Sequence, residues 1–243
     1  MNGSGSSSTE NQAYYDAFAA NYDAGRDAGY HRLIDDQAAE LVRRVGEGQR
    51  VLEVGCGTGL VLQRVARFAA QAKGVDVSPG MLEHARRRGL DVVEGSATAL
   101  PFPDASFDVA YSFKVLAHIP DLDACLREMA RVIRPGGFVV FDAYNRRSLR
   151  YLIKRVWGPR KTSTTFDEGA ISTRFSTNAE IIARLPPQLS LVSEAGIRVV
   201  TPHPAVLRVP GLSALTEGLE WRLMDSPLRA FAGFSVFTAE KTG

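Results

Sequence analysis

Apolar and polar positions change period several times along this chain. Leu33, Ala38, Leu41, Val42 and Val45 recur near helical spacing, and Gly46 stands where such a helix would stop. Residues 14–20 read as a shorter helix before it. Residues 50–55 then form a short apolar run (Val51, Leu52, Val54) that ends in glycine, which predicts a strand delivering into a turn. Helical spacing returns over residues 60–68, a second strand over 74–77, and a helix over 79–88 with Ser78 as N-cap and Pro79 as its first residue. Three further strands are expected at 90–93, 107–112 and 138–141, the last two separated by a helix over 122–133. This alternation predicts an α/β fold, a doubly wound sheet.

Beyond Asp142 the pattern loosens. It predicts a basic helix over 146–157, a helix over 178–185, a strand over 197–200, a Leu-rich helix over 212–223 and a last strand over 234–239. No period of 20 to 50 residues repeats, which argues against a solenoid.

Composition narrows the function classes. The 243 residues are 45% apolar and 23% charged, with a formal charge of +2. So even a balance argues against a surface that wraps nucleic acid. No apolar run reaches the roughly 18 residues of a membrane span. Two cysteines, Cys56 and Cys125, make neither a disulfide framework nor a zinc site. Residues 1–10 are mostly Gly, Ser and Asn and read as a disordered tail without the features of a secretory signal. Residues 11–243 are expected to form one domain, and reduced cysteines suit the cytoplasm. Arg outnumbers Lys 24 to 5 among the basic residues.

The strongest local signal is Val51-Leu52-Glu53-Val54-Gly55-Cys56-Gly57-Thr58-Gly59. A strand feeding a glycine turn and then a helix lets main-chain N–H groups approach a ligand. Asp76, 21 residues beyond Gly55, ends the next strand, where a carboxylate can accept from two ribose hydroxyls. A phosphate-binding Walker loop is excluded, because no Lys follows the glycines. A dinucleotide fingerprint is disfavoured by Leu60, which stands where its third Gly should be. A nucleoside cofactor without phosphates suits the spacing, and so does a glycine turn that only connects strand to helix.

Further motifs stand in order around this loop. They are the segment from Tyr15 to Asp23, Val75-Asp76-Val77-Ser78-Pro79-Gly80-Met81-Leu82, Gly95-Ser96-Ala97-Thr98-Ala99-Leu100-Pro101-Phe102, Phe107-Asp108 and Arg134-Pro135-Gly136-Gly137. Together they resemble the class I S-adenosylmethionine-dependent methyltransferases that act on small molecules, the methyltransferase type 11-like group. The resemblance covers residues 14–142 and the final strand. It implies a Rossmann-like, seven-stranded, mostly parallel sheet with an antiparallel last strand. It also implies a helical lid inserted after the fifth strand, around residues 145–180, with a second cap segment at 202–228. The implied cofactor is S-adenosyl-L-methionine.

The same resemblance implies roles. Gly55, Cys56 and Gly57 would cradle the methionine part, with Glu53 bracing the loop from behind. Asp76 would hold both ribose hydroxyls, Val77 and Met81 would sandwich the adenine, and Ser96 and Ala97 would flank its amino group. Family members usually carry Asp at the Ser96 position, and a hydroxyl accepts with less charge assistance. Tyr22, Phe113 and His118 complete the expected cofactor contacts.

Methyl transfer is an in-line displacement that needs alignment more than acid–base chemistry. His118 is the candidate base, against a reading in which it orients the loop and the cofactor. Asp142 and Tyr144 rank second, and Lys114 shares a helix face with His118 if that stretch is helical. His31, His84 and His203 have no ligand spacing, so no metal is expected.

The acceptor would be a small molecule. Seven basic residues and no acid lie between Asp142 and Asp167, with Leu149, Leu152, Ile153, Val156 and Trp157 on one stripe. That fits a solvated lid face, an anionic acceptor gathered by Arg, or peripheral membrane contact with a lipid-like acceptor. Nucleic acid is disfavoured, since neither a base-amino methyltransferase tetrapeptide nor a stacking platform is present. A non-catalytic S-adenosylmethionine-binding protein and a nucleotide-dependent oxidoreductase are the alternatives.

Overall fold

The computed structural model describes residues 22, 23, 26, 29–148, 151, 173–201, 207 and 211–243. The helix expected at 14–20, most of the basic helix at 146–157 and the histidine at position 203 lie outside these. In chain order the elements are α1 (Gly29–Gly46), β1 (Arg50–Val54), α2 (Leu60–Val65), β2 (Gln71–Asp76), α3 (Pro79–Arg87) and β3 (Asp91–Glu94). Then come β4 (Phe107–Ser112), a 3₁₀ turn (Leu116–His118), α4 (Leu122–Val132), β5 (Ile133–Asn145), β6 (Phe175–Ser176) and α5 (Asn178–Ile182). The chain closes with β7 (Leu189–Ile197), α6 (Leu212–Leu223), a second 3₁₀ turn (Pro227–Phe231) and β8 (Phe234–Lys241).

The strands line up as β3-β2-β1-β4-β5-β8-β7, and the short β6 pairs with the end of β5. β8 is antiparallel to both β5 and β7, while the other pairings are parallel. The expected seven strands are present. An eighth is added because Phe175 and Ser176 pair with Tyr144 and Asn145. Thus the described part of the expected lid, from 173 onward, holds a strand extending the sheet and the start of α5.

Apolar residues on successive strand positions explain why the sheet is a middle layer. Leu52, Ala110, Val139, Phe141 and Phe237 point to one face, where they meet Leu122, Leu126 and Met129 of α4 and Ile181 of α5. Val51, Val109, Tyr111, Val140 and Val236 point to the other, against Ile34, Ala38, Leu41 and Val42 of α1 and Val61 and Val65 of α2. β4 is buried along its whole length.

Two expected strands are corrected. The fifth runs from Ile133 to Asn145 rather than 138–141. It pairs with β4 from Phe107↔Ile133, slips register at the glycines, and then pairs with β8 as far as Tyr144↔Phe234. The strand expected at 197–200 ends at Ile197 and begins instead at Leu189. Arg198 adopts φ 64, and the N–H groups of Val199, Val200 and Thr201 all donate to the buried carboxyl of Glu220. Those donors would otherwise have prolonged the ladder. α3 matches expectation, with Ser78 Oγ accepting the Met81 N–H at 3.2 Å and Pro79 leading the helix.

Candidate active site

In an open α/β sheet, ligands bind where the strand order reverses, beyond the carboxyl ends of the strands. Here that point lies between β1 and β4. A cleft of about 340 Å³ opens there, within the usual size range of small-molecule sites. Each expected cofactor residue lines it: Tyr22, Gly55, Cys56, Gly57, Asp76, Val77, Met81, Ser96, Ala97, Phe113 and His118.

The glycine loop does one thing differently from expectation. Gly55 sits at φ +76, and a Cβ there would lie 2.6 Å from both methyls of Val115, so close packing and backbone both require glycine. Gly57, at φ +52, has open space where its side chain would be. Yet the N–H groups of Gly55 and Cys56 both donate to Val75 O, at 2.8 and 3.0 Å, and that of Gly57 donates to Asp76 Oδ2 at 2.8 Å. With these three donors already used, the loop offers a ligand bare Cα surface at Gly57 rather than a row of free N–H groups. Acids line the same cleft at Glu53, Asp76 and Asp121. This surface suits an ammonium and a sulfonium rather than phosphates. The donor set therefore fits S-adenosylmethionine and works against a dinucleotide. The Cys56 thiol packs behind the loop with Leu62, Leu82 and Ala85, and burial raises its pKa.

Asp76 is fixed from two sides. Its Oδ2 accepts from Gly57 and its Oδ1 from the Ser78 N–H at 2.9 Å. Ser96 Oγ lies 2.8 Å from Thr98 Oγ1 and accepts the Thr98 N–H, so its hydroxyl first serves its own turn. That turn is tied to α4, where Glu128 accepts the Leu100 N–H and Arg131 donates to the Leu100 and Phe102 carbonyls.

The far end of the cleft is built by the loop after β4. His118 sits in the 3₁₀ turn, edge-on to Tyr144 with ring centroids 5.8 Å apart. Tyr144 in turn meets Phe175 and Phe234. Asp142 does not line the cleft. It is buried and accepts the Lys114 N–H at 2.8 Å, holding Lys114 in a left-handed conformation at φ 63. The Lys114 Nζ lies 2.6 Å from the buried Asp35 of α1, so this cleft-lining cation is pinned at both ends. The helix face expected to join Lys114 and His118 does not form, because only residues 116–118 are helical.

Sequence reasoning missed two connections of this kind. Thr58 Oγ1 donates to Asp23 at 2.7 Å and Arg88 reaches the same carboxylate at 2.9 Å, drawing the Tyr22–Asp23 segment over the glycine loop. Asp35 on Lys114 is the other. The lone positional cue was Lys114 itself, a charge at the end of an apolar strand.

Two buried acids set a pH dependence. Burial pushes Glu53 up to about 8, against a hydrogen bond from Tyr111 and the charge of Lys114. Burial likewise raises Asp142 to about 7, against the Lys114 N–H and charge. Between the ordinary carboxylate range and these values, the native state holds protons that the unfolded chain has released. Stability of the ligand-free protein therefore falls as pH rises through 8, by at most about 1.4 kcal/mol per pH unit for each proton. Urea unfolding from pH 5 to 8.5 should show this decline, and Glu53→Gln should flatten it. An unchanged slope in that variant would exclude Glu53 as a source.

Among the described residues no group of three or more His, Cys, Asp or Glu is arranged to hold a metal. No described helix is long and apolar enough to cross a membrane. Arg146 belongs elsewhere than the cleft: it pairs with Glu180 at 3.0 Å and lines an open groove with Arg127, Arg174 and Arg184.

Residues 52–141 match the family model described as a methyltransferase domain. A malonyl-acyl-carrier-protein O-methyltransferase of Serratia marcescens is 36% identical over 129 residues, which is 48% of this chain and 51% of that protein. A fatty-acid O-methyltransferase of Mycolicibacterium smegmatis is 42% identical over 101 residues, 39% of this chain and 37% of that one. The chain spans about half the length, or less, of the curated relatives it matches. A solved S-adenosylmethionine-dependent methyltransferase of Thermotoga maritima superposes with a TM-score of 0.70 at 21% identity, covering 95% of this chain and 99% of that one, a likeness of fold. Residues 52–141 thus resemble a methyltransferase domain, and the fold around them is the one found in solved S-adenosylmethionine-dependent methyltransferases.

Proposed function

We propose that the protein transfers the methyl group of S-adenosylmethionine to a nucleophilic oxygen of a small, lipophilic acceptor. One observation carries the cofactor half of this reading: the cleft at the β1/β4 switch point is lined by the acids Glu53, Asp76 and Asp121 together with aromatic and aliphatic residues. Asp76 is placed to accept from the ribose hydroxyls. Val77 and Met81 offer apolar surface to the adenine, and Ser96 and Ala97 stand beside it. Glu53 and the Gly55 loop balance the positive charge of the methionine part. Bound S-adenosylmethionine supplies an electrophilic methyl on a sulfonium sulfur.

The acceptor half rests on the opposite rim. His118, Tyr144 and Phe175 form an aromatic series leading from the cleft, which suits a flat or acyl-bearing molecule better than a highly charged one. Both curated relatives described above are O-methyltransferases by name, one of a fatty acid. Alignment of an acceptor oxygen with the breaking C–S bond, in a site that excludes water, supplies most of what such a reaction needs. Within that geometry His118 orients the acceptor and takes its proton when the oxygen arrives protonated. The basic segment at 146–157 is assigned as a cover over the acceptor, and a peripheral encounter with membrane lipid fits acceptors of this class.

Calorimetry with S-adenosylmethionine and with NAD, followed by detection of S-adenosylhomocysteine release against fatty acids and phenols, tests both halves. Binding of the first and not the second supports the cofactor. Cofactor binding with no release against any oxygen acceptor would overturn the proposed reaction.

A further inference from the structure

α6 is built inside out. Its inward side is polar: Thr216 and Glu220 are its buried residues, and Glu220 is fully enclosed. The Glu220 carboxyl takes four donors, from the N–H groups of Val199, Val200 and Thr201 and from Thr201 Oγ1, at 2.6 to 3.0 Å. Its main-chain carbonyl accepts from Gln37 of α1 at 3.2 Å. Meanwhile Leu212, Leu215 and Leu219, at helical spacing on one stripe, face solvent, and Leu215 is 60% exposed. Trp221 is also exposed, but on another side of the helix. Leu228 and Phe231, in the 3₁₀ turn that packs against the same helix, are exposed as well, Phe231 at 56%. Soluble helices bury such a stripe; here hydrogen bonds anchor the helix and leave the stripe outward.

Charge decides what covers it. Every acid of this segment is neutralised or removed from the surface. Glu217 is paired with Arg32 at 2.7 Å, Asp225 with Arg44 at 2.9 Å, and Glu220 is buried. Arg222, exposed at the end of the leucine stripe, has no acidic partner among the described residues, while Arg229 donates to the main-chain oxygens of Asp225 and Ser226. An apolar leucine stripe ending at an exposed arginine with no acidic partner among the described residues matches an anionic lipid interface. A second copy of the chain fits less well, since two-fold pairing of this face would bring the arginines of both copies into one interface whose acids are already paired or buried. One helix separates the stripe from the cleft: α1 holds α6 through Arg32 and Gln37, and through Asp35 it holds the cleft-lining Lys114.

We propose that the outward face of α6, with the following 3₁₀ turn, is a lipid-docking surface that brings the cleft to a membrane-borne acceptor. This deepens the reading of a lipophilic acceptor and rests on it for its purpose, though the docking itself needs no turnover. The test is sedimentation of the full chain with phosphatidylcholine vesicles, with and without phosphatidylglycerol. Wild type should co-sediment, more strongly with the anionic lipid. The L215E/L219E variant should lower partitioning by about tenfold or more. R222Q should lower it by about fivefold on anionic vesicles and little on neutral ones. All three positions face solvent, so unchanged melting curves and unchanged calorimetric titration with S-adenosylmethionine should accompany these losses. Wild type left in the supernatant at both compositions, or L215E/L219E binding as wild type does, would overturn the proposal. So would light scattering that shows a dimer abolished by the same double substitution, which would assign the face to a second copy. Normal cofactor binding alongside absent vesicle binding would remove the docking surface alone; lost cofactor binding in wild type would remove the enzymatic reading instead.

Discussion

Asp76→Ala should weaken S-adenosylmethionine binding by more than about a hundredfold in a calorimetric titration. The residue is expected to accept from both ribose hydroxyls, and hydrogen bonds to a charged group are worth about 1.5–3 kcal/mol each. A second loss adds to this. The same carboxylate holds the Gly57 and Ser78 N–H groups, so the alanine variant also loosens the glycine loop and the start of α3. Asp76→Asn separates the contributions. Its amide oxygen can still accept from one of those main-chain donors, while its charge and one acceptor are gone. Asn should therefore fall between wild type and Ala in affinity and close to wild type in unfolding midpoint. Wild-type affinity in the Ala variant would refute the ribose role.

Gly137→Ala should cost about 3 kcal/mol or more of folding stability in denaturant unfolding, among the largest effects of any single methyl in the chain. A Cβ at this position would lie 2.5 Å from the main-chain oxygen of Asp108 and 2.9 Å from that of Arg134. Both obstacles are backbone, so neither can swing aside without disturbing β4 and β5, the centre of the sheet. Asp108 itself is clamped there by Arg50 and Arg134, which hold its carboxyl well below the ordinary range. The adjacent Gly136 gives the comparison. It is at φ +71, but a Cβ there meets only the Arg134 guanidinium at 3.4 Å. Gly136→Ala should cost about 1 kcal/mol, from backbone strain alone. Equal costs at the two positions would show that the close approach in β5 is not what glycine serves.

These cases also mark where the chain is legible. β1, its glycine loop and Asp76 could be read because both the elements and their chemistry are local: an apolar run, three glycines and a carboxylate at the next strand end. β4 was read to its exact ends because both faces of it are buried and its apolar run is continuous. β7 was missed over most of its length. It lies at the sheet edge, carries Ser190, Ser193 and Glu194, and slips register between Leu191 and Ser193, so neither periodicity nor hydrophobicity marks it. The cleft follows the same rule. Its contact residues stand in motifs, whereas its supports are long-range. Asp35 reaches Lys114 across 79 positions, Asp23 reaches Thr58 across 35, and Glu220 reaches Val199 across 21. Nothing in a linear pattern announces such pairs. The loop's orientation was also out of reach, because which N–H groups remain available depends on the partner strand.

The protonated state of Glu53 has a thermodynamic consequence for ligand uptake. A buried carboxyl that titrates near 8 is largely neutral at pH 7 in the empty cleft. A ligand carrying an ammonium and a sulfonium favours its ionised form, so association should expel a proton to the buffer. The measured heat of binding should then vary with the buffer's ionisation enthalpy, and affinity should rise with pH until the free carboxyl is itself ionised. The cleft thereby couples the capture of a cation to the acidity of the surrounding solution, through a single side chain at the end of the first strand.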